Sequence, residues 1–402
     1  MWTLMTFAAL ASATFCLAAA VQVVTYLYLH PKALVGDEAE YAADSPPKTP
    51  WIRVPGQRWL IRGAMQIAGD RLDRHGRWAT GLISSLGVAI AVTYVAYFAG
   101  GWAAVWTLIL FLLVGERAVL ALHLWPDIAI GVLALCAVLL MQSATPVAFV
   151  GLGVVAALAL CLRIEMAALG GVAAVAPFVG SLPVGWDSFL PAMIVLAMAA
   201  ALANSARRAH GTWLFDTSFS FNLAIEHAAA LQPSHSTHAL MKATSQRKAF
   251  NSPAPKAAPI PARIMQVLTR LRVLLGAESF VTQGLLTNNR PEYRTRFVLG
   301  GFRAEFFLLQ YGFTAIFMLF CTLSLRMPVI VLGSVWVGIF LYAGLQTRSR
   351  YRMVLLPTMI LGIGLGLGDV FRTGLDRDLL LGAALAVICA ALLILAPKRA
   401  EI

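Results

Sequence analysis

The sequence predicts an all-α polytopic membrane protein, and its composition and recurring apolar runs carry that prediction. Of its 402 residues, 59% are hydrophobic and only 12% are charged, and the mean hydropathy is +0.77. A soluble domain carries about twice that charged fraction. Apolar runs of about 20 residues recur, each long enough to cross roughly 30 Å of hydrocarbon. Because lipid offers no partners to backbone donors, sustained apolar runs without strand-like alternation indicate helices.

We expect about eleven transmembrane helices. The first covers Met1 to about Leu29. It lacks a basic n-region and is too long for the apolar core of a signal peptide, so we expect it to be retained. The third begins at Trp102 and is interrupted at Gly115-Glu116-Arg117. The other segments are predicted at about 78–98, 127–141, 146–163, 166–179, 189–203, 304–323, 328–345, 354–370 and 379–395.

The hydrophobic pattern divides the chain into three regions. Residues 1–206 form a transmembrane module whose first loop covers residues 30–77, and residues 304–402 hold the last transmembrane helices. Residues 207–303 form an extramembrane loop with a Pro/Ala-rich linker at 252–261. Interfacial helices are predicted in both loops, at Trp59 to Ile67 in the first and at 222–231 and 262–275 in the second.

An acidic stretch follows the first helix. Gly36 to Ala43 contains Asp37, Glu38 and Glu40, although the whole chain has only 19 acids. Such a cluster beside a membrane belongs to a catalytic or ion site, or else solvates a loop or caps a helix.

The charges fall mainly on one face of the membrane. With eleven crossings, all of the 31 Lys and Arg residues lie on one side except Arg326, Arg372 and Arg377. The net charge of +12 then favours anionic lipid headgroups and phosphate-bearing lipids, not nucleic acid, as partners. The same face holds the residues best suited to chemistry, which are Asp37, Glu38, Asp127, Arg163, Glu165 and Arg350.

Neither the cysteines nor the histidines predict a metal site. The five cysteines lie in apolar runs without CxxC spacing and are typical of small buried hydrophobes. His227, His235 and His238 lie in a linker-like context, where solvated side chains are the more common case. Dependence on a divalent metal ion is left open.

Several short motifs occur in a characteristic order. They are Asp37-Glu38-Ala39-Glu40-Tyr41-Ala42, Arg53-Val54-Pro55, Arg77, Asp127, Arg163, and Arg348 to Arg352 with Pro357. Their order and shared sidedness resemble the GT-C superfamily of membrane glycosyltransferases, in its branch of protein O-mannosyltransferases and aminoarabinose transferases. The resemblance covers most of residues 1–205 and about 300–370. Unlike in better-known members, we expect no large soluble C-terminal domain after the last predicted helix.

The resemblance implies a GT-C-type helix bundle and an inverting transfer of a sugar from a polyprenyl-phosphate donor. Asp37 would be the general base on the acceptor hydroxyl. Glu38 or Asp127 would position the acceptor or tune the pKa of Asp37. The leaving phosphate would be held by arginines, and the candidates are Arg350, Arg352, Arg58 and Arg163.

Each of these residues also has a purely structural interpretation. The two acids of the first loop could cap a helix, and Asp127 could be the N-cap of the helix after Pro126. Arg163 and Glu165 could form an interfacial anchor pair. The arginines of 348–352 could extend to lipid headgroups.

The sequence leaves alternatives open for both the membrane orientation and the function. A bacterial-type inner-membrane enzyme of this kind would have its active face in the periplasm, whereas the positive-inside rule alone places the basic face in the cytoplasm. A lipid-linked saccharide flippase or exporter is the main rival, and it would place functional charges deep within helices. An O-antigen-type polymerase is the second, and it would need no acidic motif after the first helix. The sugar and its acceptor, whether glycolipid, polysaccharide or protein, are not determined.

Overall fold

A computed structural model describes residues 4–29, 34, 38–43, 52–68, 76–143, 145–178, 185–216 and 352–374, and isolated positions at 384, 388 and 391. Within these ranges the chain is mostly helical and contains no strand. The predicted all-helical class is therefore confirmed for this part of the chain.

The helices follow one another with short connections. In chain order they are α1 (Leu4–Leu29), α2 (Glu38–Ala42), α3 (Gly56–Ala68), α4 (Arg77–Ala99), α5 (Gly101–Leu113), α6 (Gly115–Leu120), α7 (Asp127–Leu140), α8 (Pro146–Leu162), α9 (Ala167–Val175), α10 (Leu190–His210) and α11 (Arg352–Thr373). Short 3-10 turns flank α9 and precede α10.

Four described helical stretches are long and apolar enough to cross a membrane. They are Leu4–Leu29, Arg77–Ala99, Trp186–His210 and Met353–Arg372. Shorter apolar helices cover Gly101–Leu112, Asp127–Leu140, Pro146–Leu162 and Ile164–Phe178. Membrane character is thus supported. The predicted count of eleven stays a prediction, because the segments at 304–323 and 328–345 and most of 379–395 lie outside the described residues.

The predicted interruption of the third segment is present. Helix α5 ends at Leu113, Val114 adopts a non-helical conformation with φ −77° and ψ 74°, and α6 begins at Gly115. Together the two helices have about 20 residues and a length of roughly 30 Å, so that they match a membrane core as a pair.

The bundle has two ends, which we name after one residue each. The Glu38 end contains Glu38, the first turn of α4, the turn before α7 and the last turn of α8. The Gly100 end contains Gly100, the last turn of α4 and the last turn of α11, where Arg372 Nη2 donates to Phe98 O at 2.8 Å. Arg372 therefore lies at the end opposite the acids, as the sidedness of the loops predicts.

Helix α11 packs closely in the centre of the bundle, against α4, α5 and α7. A Cβ on Gly364 would collide with Thr107 Oγ1, and one on Gly131 of α7 would collide with the carbonyl oxygen of Met353. Small residues let helices approach in this way where lipid provides no hydrophobic drive for their association.

The predicted interfacial helix exists as α3, and it has two faces. Gln57, Ile61 and Ala64 are buried, whereas Trp59 and Ile67 are exposed. Exposed aromatic and aliphatic side chains on an amphipathic helix are typical of an element that lies along a membrane surface. The helices predicted at 222–231 and 262–275 lie outside the described residues.

Candidate functional site

Charged side chains from distant parts of the sequence converge at the Glu38 end of the bundle. The first loop supplies Glu38, α4 supplies Arg77, the turn before α7 supplies His123, and the first residue of α7 is Asp127. Arg163 joins them from the end of α8. These residues form two adjoining clusters, one around Glu38 and one around Arg163.

Glu38 is the first residue of α2, and its side chain is completely buried. Its Oε1 atom accepts the backbone N–H of Leu124 at 2.7 Å and lies 3.1 Å from His123 Nδ1. Arg77 Nη1 lies 3.5 Å from the same oxygen. A buried carboxylate is costly unless it is paired and hydrogen-bonded, and these three groups meet that requirement.

The surroundings of Glu38 favour its ionised form. Burial alone would raise the pKa of this carboxyl group. The hydrogen bond and charge of His123, the charge of Arg77 and the N–H of Leu124 outweigh burial, so the pKa lies below its ordinary value of 4.5. Glu38 is therefore a fixed negative charge at neutral pH, and not a group poised to exchange protons.

Arg77 and His123 are oriented by further contacts. Arg77 Nη1 donates to Leu122 O at 2.7 Å, and its side chain is almost fully buried. Gly76, at φ 68°, turns the chain directly into Arg77 through the left-handed region, which glycine adopts without strain. The ring of His123 stacks on that of Trp125 with centroids 4.3 Å apart. The turn at residues 121–126 thus sets the positions of both side chains.

Helix α3 closes this end of the bundle over the turn. Gln57 Nε2 donates to Leu124 O at 2.7 Å, so one residue, Leu124, binds both Glu38 and Gln57. Arg58 Nη2 donates to Ala43 O at 3.1 Å, just beyond α2. The backbone N–H of Val54 donates to Asp216 Oδ2 at 3.2 Å, beyond the end of α10. The first loop is therefore fastened to the turn before α7 and to the chain after α10, and Arg58 joins α3 to the end of α2 within the loop.

The second cluster is built around Arg163. Its Nη1 atom lies 3.1 Å from Asp127 Oδ1, and its Nη2 atom lies 3.3 Å from Glu165 Oε1. Asp127 is buried, and Arg163 is 12% exposed. Two carboxylates around one guanidinium leave a formal excess of one negative charge. Arg163 is therefore poorly suited to hold a phosphate as well, and its evident task is to hold the two carboxylates.

The predicted N-cap role of Asp127 is not observed. The N-cap position of α7 is Pro126, and Asp127 is the first helical residue, with its side chain on Arg163. The proposed anchor pair of Arg163 and Glu165 does form, but it includes Asp127 as a third member.

The structure brings together some of the predicted site residues and leaves others undescribed. Glu38, Asp127, Arg163 and Arg58 all lie at the Glu38 end. Arg352 is the first residue of α11. The next residue, Met353, packs against Gly131 in the second turn of α7, so α11 also begins at the Glu38 end. Asp37, Arg350 and the side chain of Arg352 lie outside the described residues.

The complete burial of Glu38 bears on the two roles predicted for it. A fully buried carboxylate does not touch an acceptor that arrives from outside the bundle. Its contacts instead fix the start of α2, directly after Asp37. An action on Asp37 is the role that this geometry favours.

No metal centre is evident in the described part of the chain, where no group of three or more His, Cys, Asp or Glu side chains is arranged to hold an ion. His227, His235 and His238 lie outside that part. The described cysteines Cys16, Cys136 and Cys161 are free thiols.

Three members of the site were not among the predicted catalytic or binding residues: His123, Gln57 and, as a partner of Glu38, Arg77. A sequence signal existed for His123, because the polar residues His123 and Asp127 flank Trp125 and Pro126 between two apolar runs. No comparable signal marks Gln57, which is one of several polar residues in an amphipathic helix.

Comparisons with models of protein families, with curated proteins and with solved structures found no match to this chain.

Proposed function

We propose that the chain is an integral membrane glycosyltransferase with a GT-C-type bundle of about eleven transmembrane helices. It moves a sugar from a polyprenyl-phosphate donor to an envelope acceptor, which is a glycolipid, a polysaccharide or a protein. Its membrane is the bacterial inner membrane, and its active face is periplasmic.

The observation that carries this proposal is the fixed position of Glu38. Four residues from α3, α4 and the turn before α7 either bind Glu38 or bind its partner Leu124. Consecutive Cα atoms are about 3.8 Å apart, so a fixed Glu38 also restricts the Cα of Asp37. A catalytic base needs such restriction, because small displacements of a reacting group are costly in rate.

In the proposed reaction, Asp37 accepts the proton of the acceptor hydroxyl as that oxygen attacks the anomeric carbon of the sugar. The bond from that carbon to the phosphate oxygen breaks, and the polyprenyl phosphate leaves with the electron pair. Arg350, Arg352 and Arg58 are the candidates to stabilise the departing phosphate, since guanidinium groups bind phosphate in a bidentate manner.

The two carboxylates around Arg163 have a supporting role in this scheme. Asp127 and Glu165 hold Arg163 beside the turn that carries His123 and Leu124. Asp127 then acts by positioning, and the phosphate is left to the other candidates, Arg350, Arg352 and Arg58.

The periplasmic orientation is open to a direct test. Single cysteines are introduced at Ser45 and Thr237 in an otherwise cysteine-free chain and are treated with a membrane-impermeant thiol reagent in intact, outer-membrane-permeabilised cells. Labelling of both positions is expected. Labelling only after lysis places this face in the cytoplasm and overturns the orientation.

The activity is tested by mass analysis of envelope glycans in a deletion strain. We expect a glycan to lose one sugar unit, and plasmid-borne wild-type protein to restore it. Asp37→Asn should fail to restore it, whereas Glu40→Gln should succeed, because Glu40 forms a partly exposed pair with Arg53 and has no part in the reaction. Unchanged envelope glycans in the deletion strain would refute the proposal.

One observation favours the rival function, a lipid-linked saccharide flippase or exporter. Arg117 is a buried charge at the break between α5 and α6, and ionisable residues at broken helices often mark transport pathways. Proteoliposomes distinguish the two functions. A flippase moves a labelled polyprenyl-linked sugar between leaflets without consuming it, whereas a glycosyltransferase converts it to polyprenyl phosphate.

A further inference from the structure

We propose that Arg117 forms a binding site for one small inorganic anion, of the size of chloride, inside the helix bundle. The site lies away from the Glu38 and Arg163 clusters, and it does not depend on the glycosyltransferase function.

The first observation is the state of the Arg117 side chain, which is 3% exposed. Its Nη1 atom donates to Ser84 Oγ at 2.6 Å, and its Nε atom donates to Phe111 O at 3.4 Å. Both partners are neutral, and they use two of the five N–H donors of a guanidinium group.

The second observation is that no carboxylate contacts Arg117 among the described residues. The nearest described acid along α7 is Asp127, and it pairs with Arg163. Described α1, α4 and α5 contain no Asp or Glu, and Asp369 of α11 lies near the end of that helix, whereas the cavity is lined by Met353, Leu356 and Pro357 near its start. The side chain of Glu116 lies outside the described residues, and a variant of it is therefore part of the test below. A buried charge without a counter-charge is strongly unfavourable, so a mobile anion is the simplest source of one.

The third observation is a cavity at the same place. It is lined by Ser84, Phe111 and Arg117, and by apolar residues of α4, α7 and α11 such as Val88, Ile128 and Leu356. The cavity volume within which the centre of a water molecule can lie is about 10 Å³, so the cavity holds about one water. That volume suits a single small ion and excludes a phosphate group, a sugar or a lipid headgroup.

The remaining contacts at the helix break also explain why Arg117 is held there. Gln22 Nε2 of α1 donates to Ala118 O at 2.8 Å, so that a carbonyl near the end of α6 has a partner. The backbone N–H of Arg117 donates to Val114 O at 3.0 Å. These hydrogen bonds are all to neutral groups, so they provide no negative charge to balance the charge of Arg117.

The test is thermal unfolding of the purified full-length protein in detergent at constant ionic strength. The salts are sodium chloride, bromide, gluconate and phosphate. We expect the midpoint to be about 5 °C higher in chloride and bromide than in gluconate or phosphate, because binding to the folded state alone stabilises it. Equal midpoints in chloride and gluconate, or an equal rise in phosphate, would overturn the proposal.

Variants assign the effect to the site. Arg117→Gln should abolish the difference between chloride and gluconate, and Ser84→Ala should reduce it. If Arg117→Gln does not fold, Ser84→Ala decides, and an undiminished halide effect in that variant would refute the site. The matched control is Arg372→Gln, since Arg372 also donates to a backbone carbonyl but is exposed at the Gly100 end. Glu116→Gln should leave the halide effect unchanged, whereas a halide effect that is absent in the wild type and appears only in Glu116→Gln would assign the counter-charge to Glu116 and overturn the proposal.

A bromide soak gives the position directly. In crystals grown in bromide, an anomalous peak is expected within roughly 3.5 Å of a guanidinium nitrogen of Arg117. Bromide peaks confined to the protein surface would contradict the proposal.

Discussion

Glu38 Oε1 and His123 Nδ1 lie 3.1 Å apart, although the two residues are separated by 85 positions in the sequence. The pair joins the first loop to the turn before α7, and the backbone N–H of Leu124 binds the same oxygen. Because Glu38 adjoins Asp37, this pair links the packing of the bundle to the proposed catalytic base.

Glu38→Gln should destabilise the protein strongly. The substitution leaves Arg77 buried without its negative partner, and breaking a buried ion pair in this way costs about 3–5 kcal/mol. The free energy of unfolding in detergent measures the loss. Glu40→Gln is the matched control, since its pair with Arg53 is partly exposed and such pairs contribute about 0–1 kcal/mol. Similar losses in the two variants would show that the Glu38 cluster is not a buried network.

Acid should weaken the protein through Glu38. Its pKa in the folded state is lowered from 4.5, so its ionisation stabilises the fold above that pH, and the stabilisation disappears as the pH falls through the lower folded value. Unfolding curves measured between neutral pH and the range below 4.5 should therefore fall more steeply for the wild type than for Glu38→Gln. Parallel curves would contradict a lowered pKa.

Asp127 and Arg163 should be energetically coupled. A double-mutant cycle with Asp127→Asn and Arg163→Gln isolates their interaction, because the two side chains meet at 3.1 Å. We expect a coupling energy of about 1–3 kcal/mol, near the upper range for contacting residues, since Asp127 is buried. The same cycle between Asp127 and Arg372, which lies at the opposite end of the bundle, should give a value near zero.

The close contact between α7 and α11 should not tolerate a side chain at Gly131. An added Cβ would collide with the carbonyl oxygen of Met353, so Gly131→Ala should force the helices apart at a cost of about 1–3 kcal/mol. Gly63→Ala in α3 is the control, because no described atom lies within 4 Å of its added Cβ. Alanine there should be neutral or stabilising by up to about 1 kcal/mol. The two variants are compared by thermal unfolding, and equal stability would refute this packing.

The helices with strong hydrophobic patterns could be placed from the sequence. The predicted segments at 78–98, 127–141 and 354–370 lie within about two residues of α4 and α7 and within about three of α11. The stretch predicted at 166–179 was less regular, since only Ala167–Val175 of it is α-helical. Gly170 and Pro177 weaken helix in this region, and Pro177 lies in the 3-10 turn that ends it.

The site could be predicted only as a set of residue types on one face. The order of the motifs predicted that Glu38, Asp127 and Arg163 share one face, and these three residues do lie at one end of the bundle. Their pairing could not be derived, because it depends on the turn at residues 121–126, which brings His123 and Leu124 onto Glu38. The burial of Glu38 could not be predicted either, since nothing in the acidic stretch distinguishes the buried Glu38 from the partly exposed Glu40.

The most direct test of the proposed function is sugar transfer by purified protein carrying Asp37→Asn. Membrane-reconstituted wild-type and variant proteins are given radiolabelled polyprenyl-phosphate sugars and an extract of envelope acceptors, and the release of polyprenyl phosphate is followed. We expect the wild type to transfer label and Asp37→Asn to lose about 10²–10⁴-fold in rate, the usual contribution of a general base, while Glu40→Gln retains activity. Transfer by Asp37→Asn at the wild-type rate would contradict the mechanism, and absence of transfer by the wild type with every donor would contradict the function.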